Sequence, residues 1–312
     1  MSVLGKNRNV LPGLLLLAGL MMIGPGCSGL ASSATDRDIE VSKTHYRIAA
    51  DHLSNRRALE ARRELNKSLK KNPKNRHAHK LLGIIDFMEG VYKSSLVDRV
   101  QCLKGAEADE QRAVSNIDFR KAEGRFKRAV ELAKAEEEYG SESLVYLANT
   151  AIHFKRYKEA IKFIDQALLD DLYRDHHLAL SVKGWAIYKQ GKLKEAAQIL
   201  RQANYARANF CIGLYRLGKI YYDKKAYSRT VTELEKIKEL KKCPLQEVPH
   251  LLGMAYTHTG AAREKVRKQF ELCIQINRKS CLARECTRLL KNVAPAAAVS
   301  ESAEKPVVEA KD

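Results

Sequence analysis

The stretch Lys183-Gly184-Trp185-Ala186-Ile187-Tyr188-Lys189-Gln190-Gly191-Lys192-Leu193-Lys194-Glu195-Ala196-Ala197 carries the pattern that organises the chain. Gly184 and Ala196 are small residues twelve positions apart, with Gly191 between them. A small residue midway along one helix lets a second helix lie close against it, and the glycine lets the chain reverse between the two. The same pattern recurs outward. Gly218 follows Gly184 by 34 residues, Gly253 follows Gly218 by 35, and Ala148 precedes Gly184 by 36. Gly83 and Ala49 are again 34 apart. The second small position recurs at Ala61, Ala160 and Ala196. Leu65, Ile164 and Leu200 follow it by four, and Ser68, Ala167 and Ala203 by seven. Positions i, i+4 and i+7 share one face of a helix. Gly90, Gly191 and Gly260 read as turns between paired helices, and Asn72-Pro73 closes the first pair, because proline stops a helix. The fifth copy is the weakest: Thr230 takes the second small position and Lys225 the turn glycine.

A period near 34 residues with this small-residue signature resembles the tetratricopeptide repeat. It implies an all-α chain, a right-handed superhelix of about six helical hairpins over residues 42–291. The units begin at 42 and 76 and near Ser141, His177, Cys211 and Val248. Cys281–Val293 reads as a cap helix covering the last apolar face, and 292–312 as a disordered tail. The second unit is interrupted. Its first helix is expected to end near Gly90, yet the matching Ala122-x3-Phe126-x2-Ala129 arrives 27 residues late. Residues 91–117 are therefore an insertion, apolar first (Leu96, Val97, Val100, Leu103) and charged later, expected to be helical and folded back on the superhelix.

The chain's start reads as an export signal. Lys6 and Arg8 precede the apolar run Leu14–Ile23. Ten helical residues span about 15 Å, half of a roughly 30 Å hydrocarbon layer. Gly24-Pro25-Gly26-Cys27 follows and resembles the bacterial lipobox, although Pro25 departs from its usual pattern. That resemblance implies a signal peptide over 1–26, diacylation of Cys27, a tether over 27–41 and, with Ser28 after the cysteine, the periplasmic face of the outer membrane. The alternative is a secretory signal cut after Ala31 or Ala34.

In stacked hairpins, the first helix of each pair lines the inner wall. Positions one and four residues after its small residue, or three before, should face inward. They hold Tyr46, Ile84, Phe87, Ile152, Trp185, Tyr188, Tyr215, Tyr222 and Met254, joined by Asn149, Lys219 and Thr257. An apolar and aromatic inner wall is the composition expected of a protein-binding groove. The competing reading has Ile84 and Phe87 packing beneath the insertion.

Apart from Cys27, six cysteines remain, and in an exported protein disulfides persist. A hairpin turning near 226–227 places Cys211 and Cys243 at the same open end. A turn near Lys279 brings Cys273 opposite Cys286, with Cys281 as the competing partner. Small positions also suit free buried thiols. No Cys-x-x-Cys occurs, so neither a redox motif nor a zinc ribbon is supported.

The composition favours a folded chain: 312 residues, 45% apolar and 30% charged. Seven prolines and 17 glycines exclude collagen-like classes. The net charge of +19 gathers partly in the first unit, at Arg56, Arg57, Arg62, Arg63, Lys67, Lys70, Lys71, Lys74 and Arg76. Such a cluster suits anionic lipid headgroups or a plain solvated face. No aromatic residues interleave with these cations, so nucleic acid is not expected. Gly213-x4-Gly218-Lys219-Ile220 mimics a phosphate loop, but Ile220 replaces the required hydroxyl and the stretch lies within a helix. His77-x-His79 and His176-His177 have no carboxylate at metal-ligand spacing, so no metal or cofactor is expected. Hydrolase and metalloprotease motifs are also missing, and the chain is expected not to be an enzyme.

A lipobox followed by six tetratricopeptide units with late cysteines is similar to the type IV pilus pilotins, the PilF, PilW and Tgl lipoproteins. That resemblance implies an outer-membrane lipoprotein that binds secretin subunits through its groove and promotes their assembly or stability. A general scaffold lipoprotein of envelope or cell-wall biogenesis is the alternative.

Overall fold

The computed structural model describes residues 34–237 and 243–293. The export signal, Cys27 and the tail beyond 293 lie outside them. The described residues form thirteen α-helices: α1 (Asp36–Ser54), α2 (Ala58–Lys71), α3 (Arg76–Ser95), α4 (Gly105–Ala135), α5 (Ser141–His153), α6 (Tyr157–Ala167), α7 (His176–Lys189), α8 (Leu193–Ala206), α9 (Cys211–Asp223), α10 (Tyr227–Leu234), α11 (Glu247–Thr259), α12 (Arg263–Ile276) and α13 (Cys281–Asn292). Consecutive helices pair into six hairpins, and α13 packs on α12 as the cap.

The small positions explain the pairing. A Cβ added at Gly83 would stand 2.7 Å from Phe126, at Gly184 2.7 Å from Leu200, at Gly218 2.8 Å from Leu234 and at Gly253 2.7 Å from Phe270. Each glycine is therefore the seat of a large side chain from its partner helix. Ala61, Ala160 and Ala196 are wholly buried at the second small position. Thr230 is buried there too, and its hydroxyl donates to the Gly218 carbonyl at 3.3 Å, so the polar atom is not orphaned. Between the paired helices one residue is left-handed, with φ of 60° at Arg56 and Lys155, 82° at Gly191, 58° at Lys225 and 67° at Gly260. The turn thus keeps its shape where glycine is replaced, at a strain cost of about 1 kcal/mol for each side chain held there.

Three boundaries differ from the sequence reading. First, α1 begins at Asp36, not near 42. Thr35 caps it, accepting from the Asp38 amide at 3.2 Å while its hydroxyl donates to the Asp38 carboxylate at 2.8 Å. The Thr-x-x-Asp spacing is a capping signature. Second, Gly90 is not a turn. It is buried inside α3, where an added Cβ would meet the Phe119 ring at 3.0 Å. The first helix of hairpin two therefore continues to Ser95.

Third, the insertion is helical and its tip lies back on the last hairpin and the cap, but it is not an element of its own. It lengthens both helices of its own hairpin. A π-helical turn, Leu96–Gln101, follows α3, and α4 then runs unbroken for 31 residues back to the regular position. Lys93 pairs with Asp118 at 2.6 Å across the extension.

The structure pairs Cys211 with Cys243 and Cys273 with Cys286, at Cα separations of 5.8 and 6.4 Å. Cys281 is not a partner of Cys273. It bonds Cys102, at the insertion's tip, with a Cα separation of 5.7 Å. The hairpin argument weighed only neighbours in sequence, and this bridge joins residues 179 apart.

Candidate protein-binding face

First helices touch one another from hairpin to hairpin (α1 with α3, α3 with α5, α5 with α7, α7 with α9, α9 with α11), whereas among the described residues no second helix touches another second helix. In a curved stack the elements that meet one another lie on the inside. The inner wall is therefore built from α1, α3, α5, α7, α9 and α11.

All nine aromatic and apolar residues assigned to this wall are half-buried. Tyr46 lies with its ring 5.7 Å from His77. Ile84 and Ile152 rest on the core formed around α4 to α7. Phe87 meets Phe119 and Tyr146 edge-on, at 5.5 and 5.6 Å, so it packs among α3, α4 and α5. Tyr146 in turn stacks on Phe126 at 5.0 Å.

The middle of the wall is aromatic and cationic. Trp185 stacks on Tyr188 at 4.6 Å, and Lys189 and Arg216 lie 5.0 and 5.2 Å from the indole centroid. Burial pushes the Arg216 guanidinium down to about 10, still cationic near neutral pH. Its nearest hydrogen-bond acceptor is the Ser181 hydroxyl, at 2.9 Å. The Tyr188 hydroxyl donates to Asp223 at 2.7 Å, and Lys219 pairs with the same carboxylate. Burial, with Asp223 beside it, pushes the Tyr188 phenol well above its usual range.

Tyr222 is held by a hydrogen bond to His258 Nε2 at 3.2 Å, while Tyr215 and Met254 rest on the core of the last hairpins. Burial, with Glu247 nearby, raises the Tyr215 phenol to about 12. These contacts fix the rings' polar ends and leave apolar edges on the inner surface, a rigid aromatic lining of the kind that anchors polypeptide ligands.

Sequence spacing missed part of this face. Met88, Val91 and Tyr92 are exposed near the end of α3, and Arg216 joins the Trp185 cluster. Val91 and Tyr92 would have followed from continuing α3 past Gly90. A cleft of about 570 Å³ also opens where hairpins two and three meet, lined by Arg76, Lys80, Glu142, Tyr173 and Arg174 among others. Its cations are largely engaged, Arg76 with Glu136 and Glu138 and Lys80 with Glu142.

His177, at the start of α7, is buried and accepts a hydrogen bond from Arg207 at Nε2, 3.1 Å away. Burial first, then the Arg207 charge, hold its pKa below the usual value. The folded form therefore resists a proton that the unfolded chain accepts, so its stabilising contribution is full above about pH 6.5 and is lost as pH falls below it. Thermal unfolding is expected to show a falling midpoint from about pH 7 to about pH 5, with a shallower fall in His177→Gln.

Among the described residues no group of three or more His, Cys, Asp or Glu side chains is placed to hold a metal ion. No helix among them is long and apolar enough to cross a membrane. Gly213, Gly218 and Lys219 all lie within α9, whose amides are committed to the helix.

A scan against protein-family models gave no match, and a search of curated proteins found no relative. Solved structures do match. PilF of Pseudomonas aeruginosa aligns over 81% of this chain and 99% of its own, at 12% identity and a TM-score of 0.60. PilW, described as a widely conserved type IV pilus biogenesis factor, aligns over 80% and 99%, at 17% identity and 0.58. The Cut9–Hcn1 hetero-tetramer of the APC/C matches 83% of this chain but 44% of the aligned chain, at 15% identity and 0.63. The fold is a tetratricopeptide superhelix. At these identities the likeness establishes architecture.

Proposed function

We propose that this protein is an outer-membrane lipoprotein of type IV pilus biogenesis, a pilotin whose inner wall holds a secretin segment while the ring assembles. The observation that carries the reading is one of extent. About four fifths of this chain aligns with 99% of the length of both PilF and PilW. The aromatic inner wall supports capture of an apolar segment, and binding without chemistry is what such a surface can do. Cys27 supplies the anchor. Two acyl chains bury enough methylene to hold firmly, at about 0.8 kcal/mol each. Eight residues lie between Cys27 and Asp36, a tether whose greatest covalent reach is about 30 Å.

Cys27→Ala is expected to give a folded protein that leaves the membrane fraction and no longer supports secretin multimers there. Mass spectrometry of the wild-type N-terminus should find a diacylglyceryl Cys27. Normal secretin multimers in the variant would overturn the pilotin reading, and an unmodified N-terminus after residue 31 or 34 would overturn the anchor.

A further inference from the structure

The tip of the extended second hairpin does not project into solvent. It reaches the last hairpin and the cap. Arg99 pairs with Glu247 in the first turn of α11 at 2.9 Å. Arg284 of α13 donates to the Val100 carbonyl at 3.3 Å, and Cys102 is bonded to Cys281. Residues 96–103 thus form a strap that joins hairpin two to hairpin six and the cap.

The strap is lightly held outside its disulfide. Most of it is the π-helical turn, and Gly105, just beyond it, has a φ of 65° and nothing within 4 Å of an added Cβ. Cys102 is held left-handed at φ 59°, a strained conformation for a side chain, which persists only where its surroundings impose it. Apart from the disulfide, its outer contacts are an ion pair whose Arg99 is mostly exposed and one charge-assisted hydrogen bond to a carbonyl.

The three disulfides differ in access. Cys273 and Cys286 are wholly buried; the second bridge has Cys243 buried and Cys211 partly exposed; in the third, both Cys102 and Cys281 are partly exposed. The Arg284 guanidinium lies against the sulfurs of both, and a neighbouring cation favours a thiolate leaving group.

We propose that the Cys102–Cys281 disulfide is a redox latch. Closed, it holds the strap against the first turn of α11, an inner-wall helix, and against the cap; opened by a dithiol, it releases the strap from both. In the opening step a dithiol thiolate attacks one sulfur and forms a mixed disulfide, releasing the other cysteine as a thiolate that takes up a proton. The second thiol of the reductant then displaces the remaining cysteine. Two electrons pass from the dithiol, which becomes a disulfide, to the two cysteines, which become thiols. The consequence for ligand capture rests on the inner wall being a protein-binding surface, but the opening itself does not.

The test uses the full chain in two forms, untreated and with Cys102→Ser combined with Cys281→Ser, followed by backbone hydrogen exchange and far-ultraviolet circular dichroism. Exchange is expected to rise about tenfold or more at residues 96–104 and in the first turn of α11, with unchanged helix content and unchanged exchange in α7 and α8. Equal exchange at the strap in both forms would overturn the latch, as would loosening of every hairpin together, which would make the bond a structural staple. Wild-type protein titrated with dithiothreitol and alkylated gives a second reading that needs no variant. Cys102 and Cys281 should be alkylated before Cys273 and Cys286; the reverse order would overturn the proposal.

Discussion

Phe126→Ala is expected to destabilise hairpins two and three by about 3–5 kcal/mol, the range for truncating a fully buried aromatic ring. Phe126 is wholly buried. Its ring fills the space that Gly83 leaves open and stacks on Tyr146 of the next hairpin. The substitution therefore removes contacts within a hairpin and between hairpins at once. In a stack whose units contact mainly their neighbours, the loss stays local. Urea unfolding followed by circular dichroism and by the fluorescence of Trp185, the only tryptophan in the chain, should show the two probes separating: the overall helix signal falls early, while the Trp185 signal shifts less. Coincident transitions with little change in midpoint would contradict the packing described.

Arg62→Ala is expected to cost a similar amount, about 3–5 kcal/mol, for a different reason. Asp86 is only 3% exposed, on the face of α3 that meets α2. The Arg62 guanidinium bonds its carboxylate at 2.6 Å and also reaches Glu89 at 3.1 Å. Removing the cation leaves a buried carboxylate with no partner charge, whereas removing both charges does not. The double replacement Arg62→Leu with Asp86→Leu is accordingly expected to recover most of the loss. No rescue in the double variant would show that the arginine's packing matters and its charge does not.

What the sequence could disclose followed the range of each signal. The 34-residue spacing of Gly184, Gly218 and Gly253 located hairpins because each glycine answers to a large residue on the very next helix, a local relation. The capping of α1 by Thr35 was equally local and readable from Thr35 and Asp38. Gly90 misled because the residue that requires it, Phe119, lies beyond the inserted segment and outside the repeat spacing, so a packing glycine looked like a turn glycine. Cys102 could not be paired from spacing. Its partner lies 179 residues on, and only the curvature of the whole stack brings the cap to the insertion's tip. The inner-wall residues were legible as positions, but their surroundings were not. That Phe87 packs among three helices while Trp185 collects two cations depends on α4 and α9 in three dimensions.

A photoreactive amino acid placed at single sites, followed by crosslinking in intact envelopes, tests most directly that the inner wall engages a secretin. Positions Trp185, Tyr222 and Met254 report on the inner wall, and Tyr205, which is 94% exposed near the end of a second helix, is the outside control. A secretin adduct is expected from the inner positions and not from Tyr205. Secretin adducts from Tyr205 alone, or inner-wall adducts only with proteins other than a secretin, would contradict it.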